Sequence, residues 1–183
     1  MIRVNSAADV RQAKSQMTEI VEKSLMINRM GLLQPYIHRT ALHDAGRAAS
    51  KRSRQKNDCT VRAIATATRI TYDEAYELLA NAGRACSKGF AFAPWAEKAV
   101  VNGCSFQWQI LRKQRGKARV NIAVFCKQYG QGTYIIKVRR HVLTVIDGMC
   151  HDCFISDGLR AVEGFWRVVM NKEMSIKRDE ING

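Results

Sequence analysis

One cysteine in this chain stands where a thiol could act as a nucleophile. A useful nucleophilic thiol needs a lowered pKa, a neighbouring base and exposure in a cleft. Left alone, with a pKa of about 8.5, it is only a few per cent thiolate at pH 7. Cys59 opens the stretch CTVRAIATAT, in which Val61, Ile64, Ala65 and Thr68 share one helical face. The spacing predicts a short helix with Cys59 in its first turn. Unpaired N–H groups and the helix dipole favour a thiolate there. His141 opens a predicted strand directly after Arg139-Arg140 and is the base that could pair with the thiol. A carboxylate must then orient the imidazole. Asp157, sixteen residues on and at the end of the next predicted strand, is assigned that role. Asp147 and Asp152 are its rivals. Asp147 reads as a turn residue, and Asp152 as a mid-strand or loop residue. The chemistry of such a triad is acyl transfer through a thioester.

The other candidate groups have simpler readings. Six cysteines are present: Cys59, Cys86, Cys104, Cys126, Cys150 and Cys153. The N-terminus MIRVNSAADVRQAKSQ has no apolar signal region, so reduced thiols in a cytoplasmic setting are expected. Cys150 and Cys153 form a CxxC around His151, but a structural zinc site would need a second pair, so no metal and no cofactor are expected. His38, His43 and His151 have no evident partner. Trp95, Trp108 and Trp166 read as core residues, because no basic–aromatic alternation surrounds them.

The elements that must position the triad follow from periodicity. Ser6 to Asp9 forms a capping box, and Val10, Ala13, Met17, Ile20, Val21 and Leu25 recur at helical spacing. This predicts a helix over 7–29, and a second helix over 36–49. Residues 1–50 are read as an N-terminal helical appendage whose apolar stripe packs on the main domain or on a protein partner. The basic stretch from Arg47 to Lys56 reads as a linker or mobile loop. The main domain is placed at 51–172, with 173–183 as a C-terminal tail. Thr71-Tyr-Asp-Glu74 is a second capping box opening a helix that stops at Gly83. A third helix is expected from Pro94 to Val101, closed by Asn102-Gly103, and another around 120–129. The period changes to two at Phe106, Trp108 and Ile110. Strands are expected over Thr133–Arg139, His141–Ile146, Met149–Ile155 and Gly164–Met170, with Asp147-Gly148 as a turn. Helices first and an antiparallel sheet after them make an α+β pattern.

These residues resemble a known family. Cys on a first helix, His beginning a strand and Asp one strand later is similar to the papain-like cysteine peptidases. More narrowly, the chain resembles the bacteriocin-processing (double-glycine) peptidase group. The likeness rests on Asp58-Cys59, Thr71-Tyr72-Asp73-Glu74, His141-Val-Leu-Thr-Val-Ile and Asp157, and it covers about 55–170. The stretch QKNDCTVRAIA also resembles small phage-encoded proteins of this class. The resemblance implies a papain-like fold, a peptide or isopeptide substrate, and an oxyanion-hole glutamine before the cysteine. Gln55 is the residue it points to, aided by the Cys59 backbone N–H. Two features depart from the group: Thr60 follows the nucleophile where Gly is usual, and Gln55 is four residues before it instead of five or six.

The net charge of this 183-residue chain is +14, from 30 Lys+Arg against 16 Asp+Glu. The surplus is spread: residues 1–58 carry eleven bases against five acids, and 59–183 nineteen against eleven. The densest runs are 47–56 and 112–119, and both could contact nucleic acid through phosphates. A second functional class is therefore a catalytically inactive basic protein, of phage virion or host-takeover type, that binds nucleic acid or another protein. No zinc finger or RNA-recognition motif is seen. Apolar residues make up 46%, which excludes a disordered chain, and no apolar run reaches the length of a membrane span.

Overall fold

A computed structural model describes residues 39–113, 115–116 and 118–171. It is a mixed α+β structure built on one seven-stranded sheet among the described residues. The strands are β1 (Thr40–Leu42), β2 (Val100–Val101), β3 (Cys104–Ile110), β4 (Thr133–Val138), β5 (His141–Ile146), β6 (Met149–Asp152) and β7 (Val162–Met170). Their order across the sheet is β1-β6-β5-β4-β7-β3-β2. All neighbours are antiparallel except β1 and β6, which run parallel.

The sheet has helices on both faces because its central strands are apolar on both. Ile135 and Trp166 belong to one core, with α1 (Cys59–Thr68), α2 (Tyr72–Asn81) and α3 (Phe92–Ala96). Tyr134, Ile136, Val138, Leu143, Val145 and Phe165 belong to the other, around Phe125 of α4 (Ile122–Gln128). Successive strand residues point to opposite faces, so β4 and β7 feed both cores. The helix α1 is buried along almost its whole length, from Thr60 to Ala65 and again at Ala67 and Thr68. Small residues at Ala63, Ala65 and Ala67 let it lie close to the sheet. Thr144 of β5 donates to the Ala63 carbonyl at 3.0 Å and ties helix to sheet. The expected capping box of α2 is complete: Thr71 Oγ1 accepts from Glu74 N–H, and the Glu74 carboxylate accepts from Thr71 N–H at 2.7 Å.

Three expectations are corrected. The helix over 36–49 is absent where described: residues 40–42 form β1 on the sheet edge and 47–49 a single 3-10 turn. Pairing with β6 outweighs the local helical pattern. The stretch 47–56 is not a free linker, since Arg52 bonds Asp73 at 2.9 Å and also Glu77 on α2. The helix expected at Pro94–Val101 is α3, which starts two residues earlier and stops at Ala96. Val100-Val101 instead forms a hairpin with β3, and Asn102 and Gly103 take left-handed turn conformations. The helix over 7–29, His38 and the rest of residues 1–38 lie outside the described residues, as does the tail, whereas residues 39–50 of the expected appendage join the main domain through the pairing of β1 with β6. No helix among the described residues is long and apolar enough to cross a membrane.

Candidate active site

Cys59 is the first residue of α1, half-buried, with Asp58 before it. Asp58 occupies the N-cap position, yet its side chain makes no capping bond. Its carboxylate turns inward and accepts from Tyr72 Oη (2.8 Å) and Arg62 Nε (3.2 Å). The first-turn N–H groups of α1, of which a helix has four without internal partners, therefore receive no cap from the Asp58 side chain.

His141 begins β5 directly after the Arg139-Arg140 turn, with Arg140 at φ 60°. Its Nε2 lies 2.6 Å from Asp152 Oδ2. That leaves Nδ1 for the thiol. Burial works to raise the Cys59 pKa, but its interaction with the His141 side chain outweighs this, and the Val142 N–H adds to it. The thiol is held below its ordinary range. For His141, burial disfavours the charge, yet the Asp152 bond and the Cys59 interaction push the imidazole up to about 9. Both shifts favour the thiolate–imidazolium form of the pair.

The carboxylate bonded to His141 is Asp152 and not the expected Asp157. The Asp147-Gly148 turn has two residues, so Ile146 faces Met149 and pairing continues residue for residue. Five positions further out on each side, residue 154 lies opposite His141. Phe154 does lie against it, with ring centroids 5.2 Å apart. Position 157 is thus past the end of the hairpin, and β6 itself stops at Asp152. Asp157 is exposed and shapes its own turn, its carboxylate accepting from Leu159 N–H at 2.9 Å. Asp147 is the turn residue, at φ 47°. Asp152 is buried (4% exposed) and held below the ordinary carboxylate range: burial opposes this, but the His141 bond, the Cys153 N–H and the Arg62 charge outweigh it.

Gln55 is engaged elsewhere. Its Nε2 donates to Cys86 Sγ (3.3 Å) and its Oε1 accepts from Ser87 N–H (3.0 Å). Asn57 Nδ2 likewise donates to the Ser87 carbonyl at 3.0 Å. Both amides pin the segment before Cys59 to the 86–87 loop. Arg84, buried, adds to this by donating to the carbonyls of Lys56 (3.5 Å) and Asn57 (3.4 Å). Besides His141, the groups that hydrogen-bond the thiol are the Val142 N–H and the Thr60 side chain.

Sequence reasoning also missed Arg62, whose Nη1 donates to Asp152 Oδ1 at 3.1 Å. A charged residue on the buried side of an apolar helix was the available signal, since arginine is almost never buried unless paired. Cys150 does not pair with Cys153: its sulfur lies 3.5 Å from Cys126 in the core behind β6. Among the described residues, no group of three His, Cys, Asp or Glu side chains is arranged to hold a metal ion. Comparison with family models, with curated proteins and with solved structures finds no match for this chain.

Proposed function

We propose that this chain is a papain-like cysteine hydrolase that cleaves a peptide or isopeptide bond through a thioester. The observation that carries the reading is the line Cys59–His141–Asp152, with the thiol at a helix N-terminus and the imidazole bonded to a buried carboxylate at 2.6 Å. In this reading the Cys59 thiolate attacks the scissile carbonyl carbon and a tetrahedral oxyanion forms. The first-turn N–H groups of α1, that of Cys59 foremost, hold the oxyanion. His141 gives its proton to the leaving amine as the C–N bond breaks, and a thioester remains. Neutral His141 then takes a proton from water, whose oxygen attacks the thioester. The thiolate leaves, the acid product departs and the ion pair is restored.

Iodoacetamide labelling near pH 6 tests this. Cys86 must first be changed to Ser, because it is exposed and its pKa is lowered by the Gln55 amide and by Ser87. Selective labelling of Cys59, lost in His141→Ala, is the expected result. Labelling no faster than at the other cysteines would refute the pair.

A nucleic-acid reading has its own support. Arg119, Arg139 and Arg160 line a cavity of about 350 Å³, and its one acid, Glu163, is already bonded to Lys137 at 3.0 Å. Such guanidiniums suit phosphate oxygens. Binding to random duplex DNA that weakens steeply with salt, and survives Cys59→Ala, is the outcome it requires. No binding at low salt would dismiss it.

A further inference from the structure

Arg62 lies one turn along α1 from the nucleophile and has little access to solvent. Its guanidinium joins two buried carboxylates, Asp58 Oδ1 at 3.2 Å and Asp152 Oδ1 at 3.1 Å. The second oxygen of Asp152 takes His141. We propose that Arg62 is a positioning residue for the nucleophile–base pair, acting through Asp152, and this rests on the reading of Cys59 and His141 given above.

The geometry gives the reason. Asp152 Oδ1 accepts from Arg62 and from the Cys153 N–H (2.8 Å), so the carboxylate cannot rotate. Oδ2 is then aimed at His141 Nε2, with Ser156 Oγ beside it at 3.3 Å. Arg62 is itself held by Asp58, which Tyr72 Oη and Arg47 Nη1 (3.5 Å) hold from the other side. The charged and titratable groups facing this network come from every packed element. They are Cys59 on α1, Asp58 and Arg47 before it, Tyr72 on α2, Arg84 beyond α2, His141 on β5, Asp152 on β6 and Cys153 after it. Among the described residues, Arg62 alone pairs with both carboxylates. Without it, two buried anions lose the cation between them, and such a pair disfavours ionisation. A protonated Asp152 would cease to be a counter-ion for the imidazolium, and Cys59 would lose the cation that keeps it a thiolate.

The pH–rate profile of Cys59 alkylation by iodoacetamide tests this in the Cys86→Ser protein, with labelling assigned by peptide mass. The parent is measured first: without fast Cys59 labelling below pH 7, the hydrolase reading fails before any Arg62 variant is made. With it, Arg62→Gln should move the acid limb upward, and a shift of about one pKa unit slows labelling at pH 6 about tenfold. Arg62→Lys should recover part of the loss, and it carries the comparison if Arg62→Gln does not give native near-ultraviolet circular dichroism. A merely structural role would lower the amount of reactive protein at every pH without moving the limb. In an Asp152→Asn background Arg62→Gln should add nothing further. An unmoved limb in folded Arg62 variants, or an undiminished Arg62→Gln effect beside Asp152→Asn, would overturn the role.

Discussion

At the residue scale, the two carboxylates that compete for His141 differ in burial and bonding. Asp152 is buried and bonded to the imidazole, whereas Asp157 is exposed and bonded within its own turn. Asp152→Asn should slow Cys59 alkylation at pH 6 by about tenfold or more, and Asp157→Asn should leave the rate within about twofold of the parent. These magnitudes follow from about one pKa unit of lost ion pairing against none. Equal effects of the two substitutions would remove Asp152 from the triad. The pH dependence has a definite sign. The imidazole is raised from 6.5 to about 9 in the folded protein. Its contribution to stability is then fully present below about pH 6.5 and lost as pH rises through about 9. Asp152 is lowered from 3.8, so its contribution is present above that value and lost as pH falls through its folded pKa. Cys59, lowered from 9.0, works in the opposite sense over the same window, so urea midpoints between pH 5 and 10 should decline on the alkaline side by the part of the His141 shift that Asp152 supplies, and His141→Gln should flatten that decline.

At the element scale, the β5–β6 hairpin decides where the acid sits. Its turn needs Gly148, at φ 75°, where an added Cβ would meet the Cys126 carbonyl oxygen of α4 at 2.9 Å. That oxygen is backbone and cannot swing aside. Gly148→Ala should cost about 1–3 kcal/mol, the range for a residue held in a disfavoured backbone region, read from the denaturant midpoint. Because the turn sets the register that brings Asp152 to His141, the same variant should also label more slowly at Cys59. An unchanged midpoint would show that the turn relaxes without strain. Much of this element was legible beforehand. Asp147-Gly148 between two apolar runs marked the hairpin, and Thr71 with Glu74 marked the start of α2. Residues 40–49 were not legible, because an edge strand is chosen by the strand it pairs with, here β6, and not by its own pattern.

At the scale of the whole molecule, part of the surplus charge of +14 lies beside the candidate site. Arg47 and Arg62 reach the acids beside Cys59, and Arg139 and Arg140 precede His141. A positive field raises the local concentration of anions. Iodoacetate should therefore react with Cys59 faster, relative to neutral iodoacetamide, than it does with free cysteine. The excess should shrink as salt rises from about 0.01 to 1 M, where the screening length falls from about 30 to 3 Å. A ratio independent of salt would show that the surplus charge lies too far away to act on the site.

The local pattern of apolar residues, caps and turns, together with the placement of Cys59 and His141 at the starts of a helix and a strand, was determined by the sequence alone. These are properties of neighbours along the chain, and periodicity reports them directly. The identity of the orienting acid was decided only by the tertiary structure. Asp152 and Asp157 are five residues apart and chemically equal, and only strand register and burial separate them. The engagement of Gln55 with the Cys86–Ser87 loop was decided the same way, as was the bridge of Arg62 between Asp58 and Asp152, a contact across 90 residues of chain. Buried polar groups take whichever partner the fold brings within about 3 Å, and that distance is set by packing, which no spacing along the chain encodes.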